Sequence, residues 1–255
     1  MTTSCTPRLL VTGFHTPGIA SSDLLQRSAD NFGYALELYP MLPVHKASYL
    51  QKVTLLQPVL AHECDDSVVM QLDTYDSFLA APPHRTLQVL RESGTDVIFG
   101  VERLYSWQST ENKTFYERLK AASGSRSPYS YLNSGGFIGK VRALRPLVAA
   151  AAETPHSHWK GADQSAYSRL FAERLAEFNV SFDYDTRMFL VATADDWNPK
   201  TVHRRIASAR PCVVHMPWRA NPANNRTLVG LFEEFGHRHH NDSHSRQISR
   251  DEHAS

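Results

Sequence analysis

Four short apolar runs, separated by helix-length segments, fill the N-terminal part of this chain, and that rhythm leaves few folds open. Leu9-Leu10-Val11-Thr12-Gly13-Phe14 closes on turn residues and reads as a buried strand. Tyr34–Tyr39, Ser67–Leu72 and Val97–Gly100 read the same way. Between them lie three helical segments. The first is capped by Ser21 or Ser22 and runs to Asn31, the second has helical spacing over Lys46–Leu60, and the third opens at Pro83 and runs to Glu92. The β-α-β-α-β-α-β order implies an α/β fold with a mostly parallel, Rossmann-like sheet flanked by helices.

Farther along, Ala121–Ser130 is rich in Ser, Gly and Pro and reads as a mobile loop. Arg142–Glu153 and Asp163–Phe178 read as helices, and short strands are expected around Phe182, Met188–Ala192 and Cys212–His215. A single domain over 1–235 accommodates all of these. Residues 236–255, with His237, His239, His240 and His244, read as a disordered tail.

Composition narrows the function classes. A formal net charge of +1 excludes a chain that binds polyanions through its overall charge. No stretch approaches the roughly 18 apolar residues of a membrane span, and no basic segment followed by an apolar run marks a signal peptide. The three cysteines, Cys5, Cys64 and Cys212, are odd in number and far apart. They are expected to be free thiols in a reducing compartment, with Cys64 and Cys212 as packing residues, in a cytoplasmic protein. The sequons at Asn112, Asn179, Asn225 and Asn241 are then chance matches.

Four stretches carry chemistry. In Met70-Gln71-Leu72-Asp73-Thr74-Tyr75-Asp76, an apolar strand delivers two acids at its carboxyl end, the edge where open α/β sheets bind ligands. Asp73 and Asp76 are spaced across a turn, so both carboxylates can face one Mg²⁺ or Mn²⁺ ion that bridges diphosphate oxygens. Spacing alone equally allows one acid to cap a following helix while the other is solvated. In Cys212-Val213-Val214-His215, a second apolar strand ends at a histidine, whose neutral imidazole would complete a mixed oxygen and nitrogen set that favours Mn²⁺. Asn133-Ser134-Gly135-Gly136 joins hydrogen-bonding side chains to glycines that let a ligand approach the backbone, and it reads as a sugar-shaping loop or as a tight turn. Asp163-Gln164 sits where a helix begins, so Asp163 is either an N-cap or an acid aimed into a site.

Taken together, these stretches resemble the glycosyltransferase domain of the multifunctional procollagen lysyl hydroxylases and its viral relatives, in order from Leu9 to Trp218. Asp73-Thr74-Tyr75-Asp76 is similar to that family's Asp-x-Tyr-Asp metal motif. Leu132-Asn133-Ser134-Gly135-Gly136-Phe137-Ile138-Gly139 is nearly the family's own run. Gln51-Lys52, Phe99-Gly100-Val101-Glu102 with Trp107, Asp163-Gln164 and Val213-Val214-His215 match further segments. The family's long aspartate run is shortened here to Gly161-Ala162-Asp163, and the hydroxylase domains are absent from this sequence.

The resemblance implies a GT-A fold and transfer of a hexose, with retention, from a UDP-sugar (UDP-glucose first) to an acceptor hydroxyl. Asp73, Asp76 and His215 would hold Mn²⁺ or Mg²⁺. Thr12, Lys52, Asp73, Tyr75, Asn133, Ser134, Gly135, Gly136 and Gln164 would bind the donor. Asp163 and Glu102 would contact sugar or acceptor as catalytic residues. The acceptor would be a protein hydroxylysine, a glycan or a hydroxylated DNA base, and no membrane partner is expected. The DNA option rests on Lys200, Arg204, Arg205, Arg210, Arg219 and Arg226, a basic stretch without an acid. Two other classes fit the acid pair: a metal-dependent phosphohydrolase or nucleotidyltransferase, and a non-catalytic sugar-nucleotide-binding module.

Overall fold

The computed structural model describes residues 5–17, 23–43, 46–106, 112–156, 161–193, 198–217 and 226–235. Its centre is a six-stranded sheet in the order β2-β1-β3-β6-β5-β7. The strands are β1 Leu9–His15, β2 Ala35–Pro40, β3 Val68–Asp73, β5 Val97–Glu102, β6 Tyr131–Lys140 and β7 Val180–Phe182. β1 pairs in parallel with β2 and β3, and β5 with β7, while β6 runs antiparallel between β3 and β5. A second, three-stranded sheet has the order β4-β9-β8, formed by Ser77–Leu79, Val213–His215 and Phe189–Val191.

Period-2 alternation along the strands splits the core in two. Leu10, Val69 and Phe99 face helices α2 (Gln51–His62), α5 (Val141–Glu153) and α6 (Ala162–Arg174). Val11, Met70, Leu72 and Ile98 face α1 (Asp23–Phe32), α3 (Pro83–Glu92) and the small sheet. Helices α4 (Lys113–Ser123) and α7 (Pro199–Ala209), and a further helix α8 over 226–235, complete the fold. Phe232 of α8 meets Phe78 of β4 edge-on, with ring centroids 5.7 Å apart. No helix among the described residues is long and apolar enough to cross a membrane.

The small sheet is seated on the large one through Phe189. A Cβ on Gly136 would come within 2.9 Å of the Phe189 ring, and one on Gly100 within 3.3 Å of its Cβ. Two glycines on neighbouring strands thus make room for one ring. The turn feeding β8 is held by Asp183, whose buried carboxylate accepts backbone N–H bonds from Arg187, Met188 and Phe189 at 3.0, 2.7 and 2.7 Å.

Several expectations are corrected. Asn133–Gly136 is neither a loop nor a turn but part of β6, because both flanks of the run are buried strand. The helix expected from Lys46 starts at Gln51, after turns over 46–50. The one expected to reach Phe178 ends at Arg174, followed by a 3-10 turn. Ala121–Ser123 belongs to α4, and Gly124 closes it in the left-handed conformation. Beyond it each serine accepts from the backbone two residues on: Ser125 N to Ser123 Oγ, Ser127 N to Ser125 Oγ and Tyr129 N to Ser127 Oγ. Part of the basic stretch forms α7, with Asn198 as N-cap.

Cys5 and Cys64 form a disulfide and are not free thiols. Cys5 precedes β1 and Cys64 precedes β3, and the parallel register Leu9↔Val68 brings the segments leading into these strands side by side. The ground for expecting a reducing compartment is thereby removed. Cys212 is free and buried as expected. The histidine-rich tail, Ser21, Ser22, Trp107 and Arg219 lie outside the described residues.

Candidate active site

The site is built at the carboxyl edge of β3. The chain leaves β3 at Asp73 and turns through Thr74 and Tyr75. Thr74 Oγ1 donates to Phe14 O at 2.9 Å, tying the turn to the end of β1. The Tyr75 hydroxyl bonds the backbone of Thr16 on the same edge. After Asp76 the chain enters β4 and not a helix, so neither acid caps one. β4 pairs antiparallel with β9 in the register Ser77↔His215, and Met216 N donates to Asp76 O at 2.8 Å. That ladder carries His215 to the acid pair.

Ligand atoms of Asp73, Asp76 and His215 lie within 4.8 Å of one another. His215 Nε2 is 3.3 Å from Asp76 Oδ1 and 3.8 Å from Asp73 Oδ2. His215 is 2% exposed, and among the described residues neither its ring nitrogens nor Asp76 Oδ1 has a hydrogen-bond partner. Buried polar atoms left unpaired are costly, and a cation ligated by two carboxylates and an imidazole would satisfy these. The residues therefore fit a divalent ion of the Mn²⁺ or Mg²⁺ type.

Lys52, in the first turn of α2, places Nζ 2.5 Å from Asp73 Oδ1 and 3.5 Å from Asp163 Oδ2. Burial disfavours the Lys52 ammonium, but the fields of Asp73 and Asp163 outweigh it and hold the group charged well above the usual range. Asp73 is also desolvated, yet Lys52 and His215 keep its pKa below normal. For His215, burial opposes the imidazolium while Asp76 and Asp73 favour it, and the pKa moves up.

β6 supplies the opposite wall. Its pairing with β5 skips from Phe99↔Phe137 to Gly100↔Asn133, so Ser134, Gly135 and Gly136 have no partner on β5. Ser134 Oγ donates to Asp163 Oδ2 at 3.1 Å, and Ser134 N to Gln164 Oε1 at 3.1 Å. Asn133 Oδ1 accepts from Gly135 N at 3.0 Å. A Cβ on Gly135 would lie 2.2 Å from His215 Cε1, so only glycine lets the strand pass the histidine. Gln164 Nε2 donates to Glu102 Oε1 at 2.9 Å and to Ser106 O at 2.7 Å. Burial pushes the Glu102 carboxyl up to about 8, against hydrogen bonds from Gln164 and Asn133, which favours its protonated form.

The fold thus gathers Lys52, Asp73, Asp76, Glu102, Asn133, Ser134, Gly135, Asp163, Gln164 and His215 into one connected cluster. Asp163 makes no side-chain cap and turns its carboxylate into the cluster. Gly136 lies against Phe189, behind this wall. Thr12 is fully buried in mid-strand beside Gln71, away from the strand end where Thr16 meets Tyr75. Lys200 and Arg204 are exposed on α7, whereas Arg205 turns to the Tyr129 ring, 5.3 Å from its centroid. Sequence reasoning missed Tyr49, whose ring centroid is 4.6 Å from Lys52 Nζ. Its only sequence signal is its place three residues ahead of that lysine.

Comparison with known proteins gives this geometry a family. The family model of the PLOD GT domain matches residues 6–217. Human procollagen-lysine,2-oxoglutarate 5-dioxygenase 1 is 32% identical over 178 residues, covering 64% of this chain and 22% of that protein. The human multifunctional procollagen lysine hydroxylase and glycosyltransferase LH3 is 28% identical over 147 residues, covering 54% of this chain and 18% of that protein. The chain spans about a fifth of the length of these curated relatives. A crystal structure of a glycosyltransferase involved in glycosylation of the major capsid of PBCV-1 superposes with a TM-score of 0.53. It covers 88% of this chain and 98% of that one at 11% identity, a likeness of fold.

Proposed function

This chain belongs to the PLOD GT domain family and is a glycosyltransferase, and on that premise we propose that it moves a hexose, glucose first, from a UDP-sugar to an acceptor hydroxyl with retention. The observation that supports a metal-dependent reaction is the convergence of Asp73, Asp76 and the orphaned imidazole of His215. A divalent cation held by these three supplies Lewis-acid stabilisation of the charge that develops on the departing diphosphate.

The chain's own residues do the rest. Lys52 is a fixed cation beside Asp73 and neutralises phosphate charge. Asn133, Ser134 and Gly135 shape the sugar side of the pocket, with Ser134 oriented by Asp163 and Gln164. Asp163, held between Ser134 and Lys52, is the acid that contacts the sugar. Glu102, whose protonated form burial favours, fixes the same wall through Gln164. Tyr75, bonded to the β1 edge, flanks the uridine side, and Thr12 supports that strand from within.

For the acceptor, the names of the relatives favour a hydroxyl on a modified lysine of a protein, or a glycan built on one. A second reading, a hydroxylated DNA base, draws on exposed Lys200 and Arg204 of α7. A gel shift at moderate salt separates them: retention of a duplex favours DNA, and its absence favours protein.

Incubation with UDP-glucose and Mn²⁺ should release UDP slowly even without acceptor. Asp73→Ala should abolish that release, a loss of at least about a hundredfold. Release that persists in Asp73→Ala would sink the metal reading. Equal turnover of simple phosphate esters would instead favour a phosphohydrolase, and binding of UDP-glucose without any turnover would favour a non-catalytic module.

A further inference from the structure

Lys52 is an odd residue to find where it is. It occupies the first turn of α2, where the helix dipole disfavours a cation. It is nearly buried, with the side chain 13% exposed. One side of the ammonium meets Asp73 Oδ1, another faces Asp163 Oδ2, and the Tyr49 ring covers it at 4.6 Å. Lys52 therefore bridges a carboxylate of the metal-ligating set and the carboxylate bonded to Ser134.

Charge balance gives this bridge a function. Asp73, Asp76 and Asp163 bring three negative charges, and among the described residues Lys52 is the only Lys or Arg ion-paired to them. The surplus of negative charge is what draws a divalent cation. A nucleotide diphosphate that follows adds negative charge and reverses the demand. Among the described residues, the ammonium of Lys52, on a flexible four-carbon stem with two alternative partners, is placed to answer it.

We propose that Lys52 couples cation binding to nucleotide binding, resting on Asp73 until a diphosphate draws it away. On Asp73 it weakens the hold on a cation that comes alone. Moved to the diphosphate, it leaves Asp73 wholly to the cation and adds a contact to the nucleotide. Cation and nucleotide then strengthen each other by the same factor, as linkage requires. The inference rests on the donor-site reading of Asp73, Asp76 and His215, and extends it from a set of ligands to an order of events.

The test is Mn²⁺ binding to the whole chain, read from the electron paramagnetic resonance signal of free Mn²⁺, with and without UDP. In the wild type, UDP should tighten Mn²⁺ binding. Lys52→Gln should bind Mn²⁺ alone about tenfold more tightly, since a positive charge close to the ion is gone, and should lose part of the effect of UDP, keeping what the ion itself contributes to the diphosphate. Lys52→Arg, which keeps the charge, should stay near the wild type. Asp163→Asn leaves Lys52 with Asp73 alone and should weaken Mn²⁺ binding without UDP, which keeps the idea testable if Lys52→Gln folds poorly. Lys52→Gln binding Mn²⁺ alone no more tightly, or keeping the full effect of UDP, overturns the coupling. So does Asp163→Asn binding Mn²⁺ alone as well as the wild type. A wild type that binds no Mn²⁺ with UDP present overturns the donor site itself.

Discussion

The two ends of β3 are both crowded with charge, and they are built on opposite principles. At its amino end, Arg8 pairs with Glu63 and Glu37, Arg145 with Asp65, Arg142 with Asp66 and Asp96, and Lys140 with Asp96. Most of these groups are well exposed, every one has an opposite charge, and the Cys5–Cys64 disulfide ties the same end together. At its carboxyl end, Asp73 and Asp163 share Lys52, and, among the described residues, buried atoms of Asp76 and His215 have no hydrogen-bond partner. The amino end is matched and wet, as a stabilising surface is. The carboxyl end is mismatched and dry, and the mismatch has the size and sign of a ligand.

Substitutions at the two ends should therefore fail in different ways. The largest effect belongs to the carboxyl end. Gly135→Ala forces a methyl group against the His215 ring, and should cut Mn²⁺-dependent UDP release by about a hundredfold while the protein stays folded. Normal activity in that variant would show that His215 can move freely, contrary to its packing. Cys64→Ser, at the amino end, should lower unfolding free energy by about 2–4 kcal/mol in urea melts. Its activity at low temperature should be unchanged, and a selective loss of activity would dissolve the contrast between the ends.

Glu102→Gln sharpens the comparison through pH. The native carboxyl titrates at about 8, against 4.5 for an ordinary glutamate, so the folded chain holds a proton that the unfolded chain has lost. Stability of the wild type should therefore fall as pH rises from 4.5 towards 8 and then level off, relative to the variant, which has no proton to lose. The gap should reach the order of a few kcal/mol. Parallel pH profiles would mean that Glu102 is ionised in the fold. Smallest of all, Arg142→Ala at the amino end should cost less than about 1 kcal/mol, because its pairs with Asp66 and Asp96 are solvent-screened. It should leave UDP release untouched.

Local signals made much of this legible. Strands β1, β2, β3, β5 and β7 of the large sheet, helix α3 and the acid pair at the end of β3 could be read because apolar periodicity and strand ends are properties of neighbouring residues. What escaped depends on residues far apart in sequence. Ser77-Phe78-Leu79 is a strand only because β9 pairs with it. Cys5 finds Cys64 only through the β1–β3 register. Asn133–Gly136 looked like a loop because glycines favour loops, whereas these glycines are required by His215 and Phe189 crossing the strand. Tyr49 could not be seen at all until α2 turned Lys52 beneath its ring.

The three-residue ladder between β4 and β9 has a consequence for biosynthesis. A ribosome releases both acids long before it makes the histidine, since His215 comes far later in the chain than Asp73 and Asp76. Until β9 docks on β4, a nascent or truncated chain can present carboxylates but lacks the nitrogen donor. An ion held as proposed would therefore report that synthesis has passed β9 and that β9 has docked on β4.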